Sequence, residues 1–312
     1  WGLDVRALAF TRMALALVVL TDLILRSRDL VAHYSSAGVL PGGPELPYSH
    51  LFNLFFQSSE LWILFFFILT GIAAVLLLFG YRTKFVTPIV WFLVASLDAR
   101  NPLVLNSGDH ALRIFLFWGM FLPWERRYSF DSLRHKEWGA MPKKIFSVAT
   151  AAFLVQSASI FFFSGLYKLP YASDWTSNNG VYYMLHSTLS RGVGRSFLEQ
   201  FPHVISSLSH IVVPFEIIAP LLLLMPIFSA TLRTIGLVAI LFFESGLLFG
   251  MHLAIFPFAI MAAFIGLIPS QLIDGLIRIV RKAGCNNTYY NKIKVFYALG
   301  IHGQYRAGEN AL

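Results

Sequence analysis

The segment FFFSGLYKLP, residues 161–170, closes an apolar run of roughly twenty residues, enough for a membrane span, with a single ammonium, Lys168. A charged side chain at such a place is costly in hydrocarbon unless it is paired or hydrated, so each one is a functional candidate. The others in or beside apolar runs are Asp22, Asp109, Arg113, Glu216, Glu244 and His252. Together they suit proton transfer and the holding of a polar group. A partly desolvated lysine can offer a neutral amine as a base, and Asp109, Arg113, Glu216 and Glu244 supply polar contacts. Ser164 and Gly165 precede Lys168 and let a helix or a flat ligand approach the backbone, and Pro170 is expected to end the helix.

Each residue also has a plainer role. Lys168 can snorkel, its stem covering apolar surface while the ammonium reaches the headgroups. Asp109 and Arg113, and Asp22 and Arg26, are four apart with the acid first, so each pair can close on one helical face. Glu216 lies between Pro214 and Pro220 in PFEIIAP, where the prolines free backbone carbonyls and can open a pocket; its plainer role is a hydrogen bond between helices. His252 reads as an interfacial histidine. No histidine pair stands at ligand spacing with an acid, so no metal site is expected.

These side chains need long apolar elements to hold them. In 312 residues 57% are hydrophobic, 16% aromatic and 13% charged, which excludes an ordinary soluble domain and implies a polytopic, all-α integral membrane bundle. The apolar runs place eight helices at about 6–26, 60–80, 85–98, 110–123, 145–167, 204–226, 231–250 and 252–269, the third and fourth short. With both termini on one face, sixteen lysines and arginines fall on that face and six on the other. This asymmetry predicts cytoplasmic termini, with Lys168 facing outward. The formal charge of +8 is therefore a topology signal rather than a nucleic-acid footprint. Residues 1–270 read as the membrane domain and 271–312 as a basic cytoplasmic tail; NNT at 286–288 would be inert there as a glycosylation sequon, and the single Cys285 excludes an internal disulfide.

The stretch FFFSGLYKLPYASDW resembles the segment of vitamin K-dependent gamma-carboxylases in which a helix ends with a glycine, one or two lysines, a leucine and an Asp-Trp pair. Here those are Gly165, Lys168, Leu169, Asp174 and Trp175, with two additional residues before Asp174. GLDVRALAFTRMALALVVLTDLILR with YSSAGVLPGG is similar to the opening of the broader HTTM (horizontally transferred transmembrane) family. LDARNPLVLNSGDHALRIFLFWGMFLP resembles its third and fourth helices, and the likeness covers about residues 1–270. The resemblance implies a membrane enzyme that oxidises a vitamin K-like hydroquinone, with Lys168 as the catalytic base acting on its hydroxyl. The strong base so generated would remove a proton from a glutamate of a peptide or protein substrate before carbon dioxide adds. The family's histidine after the helix-three aspartate has no counterpart, since this chain reads Asp98, Ala99, Arg100, Asn101. Asp98, Asn101 and Trp175 join the ligand-binding candidates on the same resemblance, and His110 or His186 are the available substitutes for the missing imidazole.

Two readings follow from different classes. One is an enzyme whose quinone pocket lies among the outer halves of the helices, lined by LFNLFF, FFFSGLYK and FESGLLFGMH, in a bacterial inner membrane with the site towards periplasm or exterior. The other is a non-carboxylating accessory, like the short HTTM proteins of sporulation-delaying toxin systems, whose outer loop 168–203 meets a peptide. A lipid- or quinone-binding membrane protein is a further alternative. A transporter is least favoured, because no repeated halves are evident.

Overall fold

The computed structural model describes residues 2–41, 54–55, 59–171, 173–177 and 179–282. Cys285, the sequon at 286–288, the rest of the tail from 283 and most of LFNLFF lie outside them. The chain divides into two units, Trp1–Pro269 and Ser270–Leu312.

The first unit opens with a two-residue strand β1 (Leu3–Asp4) and continues directly into α1 (Val5–Arg26). Asp4 caps α1: its carboxylate accepts from the Arg6 backbone N–H at 2.8 Å and from the Arg6 guanidinium at 2.7 Å. After a short α2 (Leu30–Tyr34) the chain runs through α3 (Glu60–Phe79), α4 (Thr83–Arg100), α5 (Ser107–Gly119) and the single turn α6 (Phe130–Arg134). A second short strand, β2 (Lys144–Ile145), pairs antiparallel with β1, with Leu3 opposite Ile145. Then come α7 (Val148–Tyr171), three short helices α8 (Ser173–Thr176), α9 (Gly180–Leu185) and α10 (Gly192–Leu198), and α11 (Pro202–Leu224), α12 (Ser229–Gly250) and α13 (Phe256–Ile265).

The long helices are apolar on both faces, and that decides their surroundings. On α3, Ile63, Phe67, Ala74 and Leu77 are buried, while Leu61, Phe65, Ile68 and Ile72 form an exposed stripe at helical spacing. Such a stripe on several helices suits hydrocarbon rather than water. Among the described residues, five helical segments are long and apolar enough to cross a membrane, or up to six if a bent pair counts as one. The first unit is thus an all-α, multi-pass membrane bundle.

A helix stands at each of the eight expected positions, and three differ from a simple span. α4 reaches 18 residues but carries Pro88 and, at its end, Asp98 and Arg100. α5 has 13 residues and α13 has 10, about 20 Å and 15 Å at the helical rise, shorter than a hydrocarbon core. α7 runs on past Lys168 to Tyr171, so Pro170 lies within its last turn instead of ending it. α1 packs on α3, α5 and α13, with α4 between α3 and α5; α11 packs on α7 and α12, and contacts of α5 with α7 and of α12 with α13 join the two groups. α3 ends at Gly80 in the left-handed region (φ 68°), as helix C-termini favour.

In the second unit α14 (Ser270–Lys282) is strongly amphipathic, with Leu272, Leu276 and Ile279 exposed on one side.

Candidate functional site

Lys168 sits in the last turn of α7 and meets α11. Its Nζ donates to both carboxylate oxygens of Glu216, at 2.6 Å for Oε1, and to Ser164 Oγ at 3.2 Å. The pair is largely withdrawn from the surface, with side-chain exposures of 18% and 6%. Gly165 makes the contact possible. A Cβ there would stand 2.8 Å from Ile217 and 3.0 Å from Glu216 Cβ, so only glycine lets α7 and α11 cross this closely. Trp175, from α8, lays its ring 4.8 Å from the Lys168 ammonium. Its indole fits against Gly180, where a Cβ would come within 2.3 Å of the ring.

These residues form one wall of a pocket of about 470 Å³ lined by Lys168, Trp175, Ser209, His210, Val213 and Pro214, with Leu169 and Ile218 at its exposed edge. Positions 210, 213, 214 and 217 recur at helical spacing, so one face of α11 faces the space. The two prolines act locally here. Having no N–H, Pro214 and Pro220 leave the carbonyls of His210 and Glu216 without their ladder donors. Ser209 is buried at the same level, accepting from Val181 N–H at 3.1 Å and donating to Ile205 O at 3.0 Å, which ties α9 to α11. Beyond the pocket, Arg195 binds Glu199 at 2.8 Å and holds its carboxyl below the usual glutamate range, and His186 reaches the same carboxylate at 3.1 Å.

A second polar group gathers where α1 and α4 end and α5 begins. Arg26 donates Nε to Asp22 at 2.7 Å and its other nitrogens to Asp109 and the Tyr34 hydroxyl. Arg113 binds Asp98 at 3.2 Å and His110 Nδ1 at 2.7 Å. The Asp22–Arg26 pair is as its spacing suggests, but Asp109 and Arg113 do not pair. Asp109 is the third residue of a capping box: its Oδ2 turns back to the Asn106 N–H at 2.6 Å, leaving Oδ1 for Arg26. Arg100 and Asn101 fasten the segment after α1, through Ser35 O and Leu40 O (3.2 and 2.9 Å) and His33 O (2.7 Å).

Of the eight site residues read from the sequence, Lys168 and Trp175 therefore line the pocket and Glu216 backs Lys168. Asp98, Asn101, Asp109 and Arg113 belong to the other group, on different helices. Glu244 lies in α12, fully buried, and neither of its carboxylate oxygens has a hydrogen-bond partner among the described residues. His210 was missed by the sequence reading; its signal was the register with Val213, Pro214 and Ile217 along α11. Comparison with protein-family models, characterised proteins and solved structures returns no match.

Proposed function

We propose that this chain is a membrane-embedded, quinol-handling enzyme of the HTTM kind, with Lys168 as the proton-accepting group. The observation that carries the reading is the Lys168–Glu216 pair at the wall of an apolar pocket. The pocket's volume is within the usual range for small-molecule sites. Its lining suits a flat apolar ligand: an indole face on one side, aliphatic groups of α11 on another, and few polar atoms. Leu169 and Ile218, 48% and 57% exposed, border the mouth, so a membrane-dissolved ligand enters without crossing water.

The proton bookkeeping is short. Lys168 passes a proton to Glu216, converting ammonium and carboxylate into amine and carboxylic acid with no change in net charge, which avoids the cost of an isolated charge in low dielectric. The amine then takes the proton of a ligand hydroxyl, leaving an oxyanion beside the new ammonium, which stabilises it. A bound quinol supplies the redox chemistry, and by resemblance to the carboxylases that would be oxidation by oxygen coupled to proton removal from a glutamate substrate. The basic-residue asymmetry supports eight spans with cytoplasmic termini, the site facing the periplasm or exterior of a bacterial inner membrane.

The test is quinol consumption and epoxide formation by the full chain in nanodiscs. Lys168→Met is expected to lower turnover by roughly a hundredfold or more. Undiminished turnover in that variant removes the base role. Absence of turnover in the parent, together with a co-purifying peptide in native mass spectrometry, favours the accessory reading.

A further inference from the structure

His210 lines the same pocket as Lys168, and its protonation pattern is fixed by its own helix. Its Nδ1 lies 2.9 Å from the carbonyl oxygen of Ser206, one turn back. A carbonyl only accepts, so Nδ1 carries the hydrogen and, in the neutral ring, the lone pair is on Nε2, at the imidazole edge away from that bond. His210 thus offers an acceptor where Lys168 offers a donor. The charges also matter. Glu216 engages Lys168 through both oxygens, so the ammonium is already neutralised. The described lining therefore favours an uncharged ligand over a phosphate or carboxylate headgroup. His210 and Glu216 are six residues apart on α11, about 9 Å along the helix axis, so the two polar points sit at different depths.

We infer that the pocket takes an uncharged flat ring bearing oxygen functions at opposite ends, one at Lys168 and the other donating its hydroxyl hydrogen to His210 Nε2. This rests on the quinol reading and deepens it, since it says which way round and by how many points the ligand is held. His210 is a binding residue that fixes the far hydroxyl. The apolar side chains of Val213, Pro214 and Ile217 between the two points cover the ring face without competing for its oxygens.

The test compares 1,4-naphthohydroquinone with 1-naphthol, which lacks the second oxygen, by anaerobic equilibrium dialysis against the full chain in nanodiscs. The parent should bind the dihydroxy ring more tightly than the monohydroxy one. His210→Phe should weaken the dihydroxy ring about tenfold and leave 1-naphthol unchanged. His210→Gln, whose amide oxygen can accept, should restore part of the preference, which a merely structural histidine would not show. A preference that survives His210→Phe overturns the inference, as does equal binding of both rings by the parent; in either case the site itself stands. If the parent binds neither ring, the quinol reading falls and takes this inference with it. Displacement of the quinol by phosphatidylglycerol in the disc would overturn the claim of an uncharged ligand.

Discussion

At the scale of single residues, the Lys168–Glu216 contact is an ion pair whose partners cannot be removed independently. Glu216 is nearly inaccessible, so deleting the lysine alone leaves a buried carboxylate with only the long Ser164 Oγ contact, at 3.4 Å, among the described residues. Breaking such a pair from one side costs about 3–5 kcal/mol. Lys168→Met should therefore lower the melting temperature as well as turnover. The double variant Lys168→Met/Glu216→Leu should recover most of the melting temperature while remaining inactive, as thermal unfolding in detergent would measure. A double variant no more stable than the single would show that the stranded carboxylate is not what destabilises it. Glu244 has no such partner, and its two unbonded oxygens predict that Glu244→Gln raises the melting temperature or leaves it unchanged. A loss of several degrees would mean that an unseen donor satisfies it. Lys168, Glu216 and Glu244 were legible in the sequence because charge within an apolar run is conspicuous, whereas the pairing of Lys168 with Glu216 was not. Spacing within one helix suggested Asp109 with Arg113, but the capping box turned Asp109 towards Arg26 on another helix, and only the crossing of α7 over α11 joins Lys168 to Glu216.

At the scale of elements, two glycines set how closely helices meet. Gly165 is the point where α11 crosses α7, and Gly165→Val should push the helices apart, since overpacking of this kind costs about 1–3 kcal/mol. The expected readout is a joint loss of stability and quinol binding; retained binding would mean that the crossing does not organise the pocket. Gly80 plays a different part. It holds φ at 68°, and a Cβ there would fall 1.6 Å from Nη1 of Arg12, a fully buried side chain whose other terminal nitrogen, Nη2, donates to Tyr128 O at 2.6 Å. Gly80→Ala should thus destabilise more than the roughly 1 kcal/mol typical of a left-handed alanine, with Arg12→Met/Gly80→Ala less affected than the sum of its parts. Helix positions were readable from apolar length alone. The short α5 and α13 were harder to judge, because a run of apolar residues fixes that a segment is buried but not whether the backbone stays helical throughout.

At the scale of the whole first unit, the candidate site rests on α7 and α11, and the polar network of Arg26 and Arg113 on α1, α4 and α5. The α1–α4–α5 group locks the ends of three helices and fastens the segment after α1, so Arg26→Gln should loosen that end without altering which ring the α7–α11 pocket prefers, a separation that limited proteolysis and the dialysis assay would resolve. The small sheet bears on the order in which the protein is built. Leu3 is held by Ile145, the Val5 N–H by Lys143 O, and Gly2 O accepts from Arg233 at 3.2 Å. Strand β1 is therefore paired once β2 has been made, and only the fastening at Gly2 O waits for Arg233 of α12. A nascent chain stalled between β2 and α12 should hold β1 against β2 yet leave Gly2 more open to protease than the finished chain does.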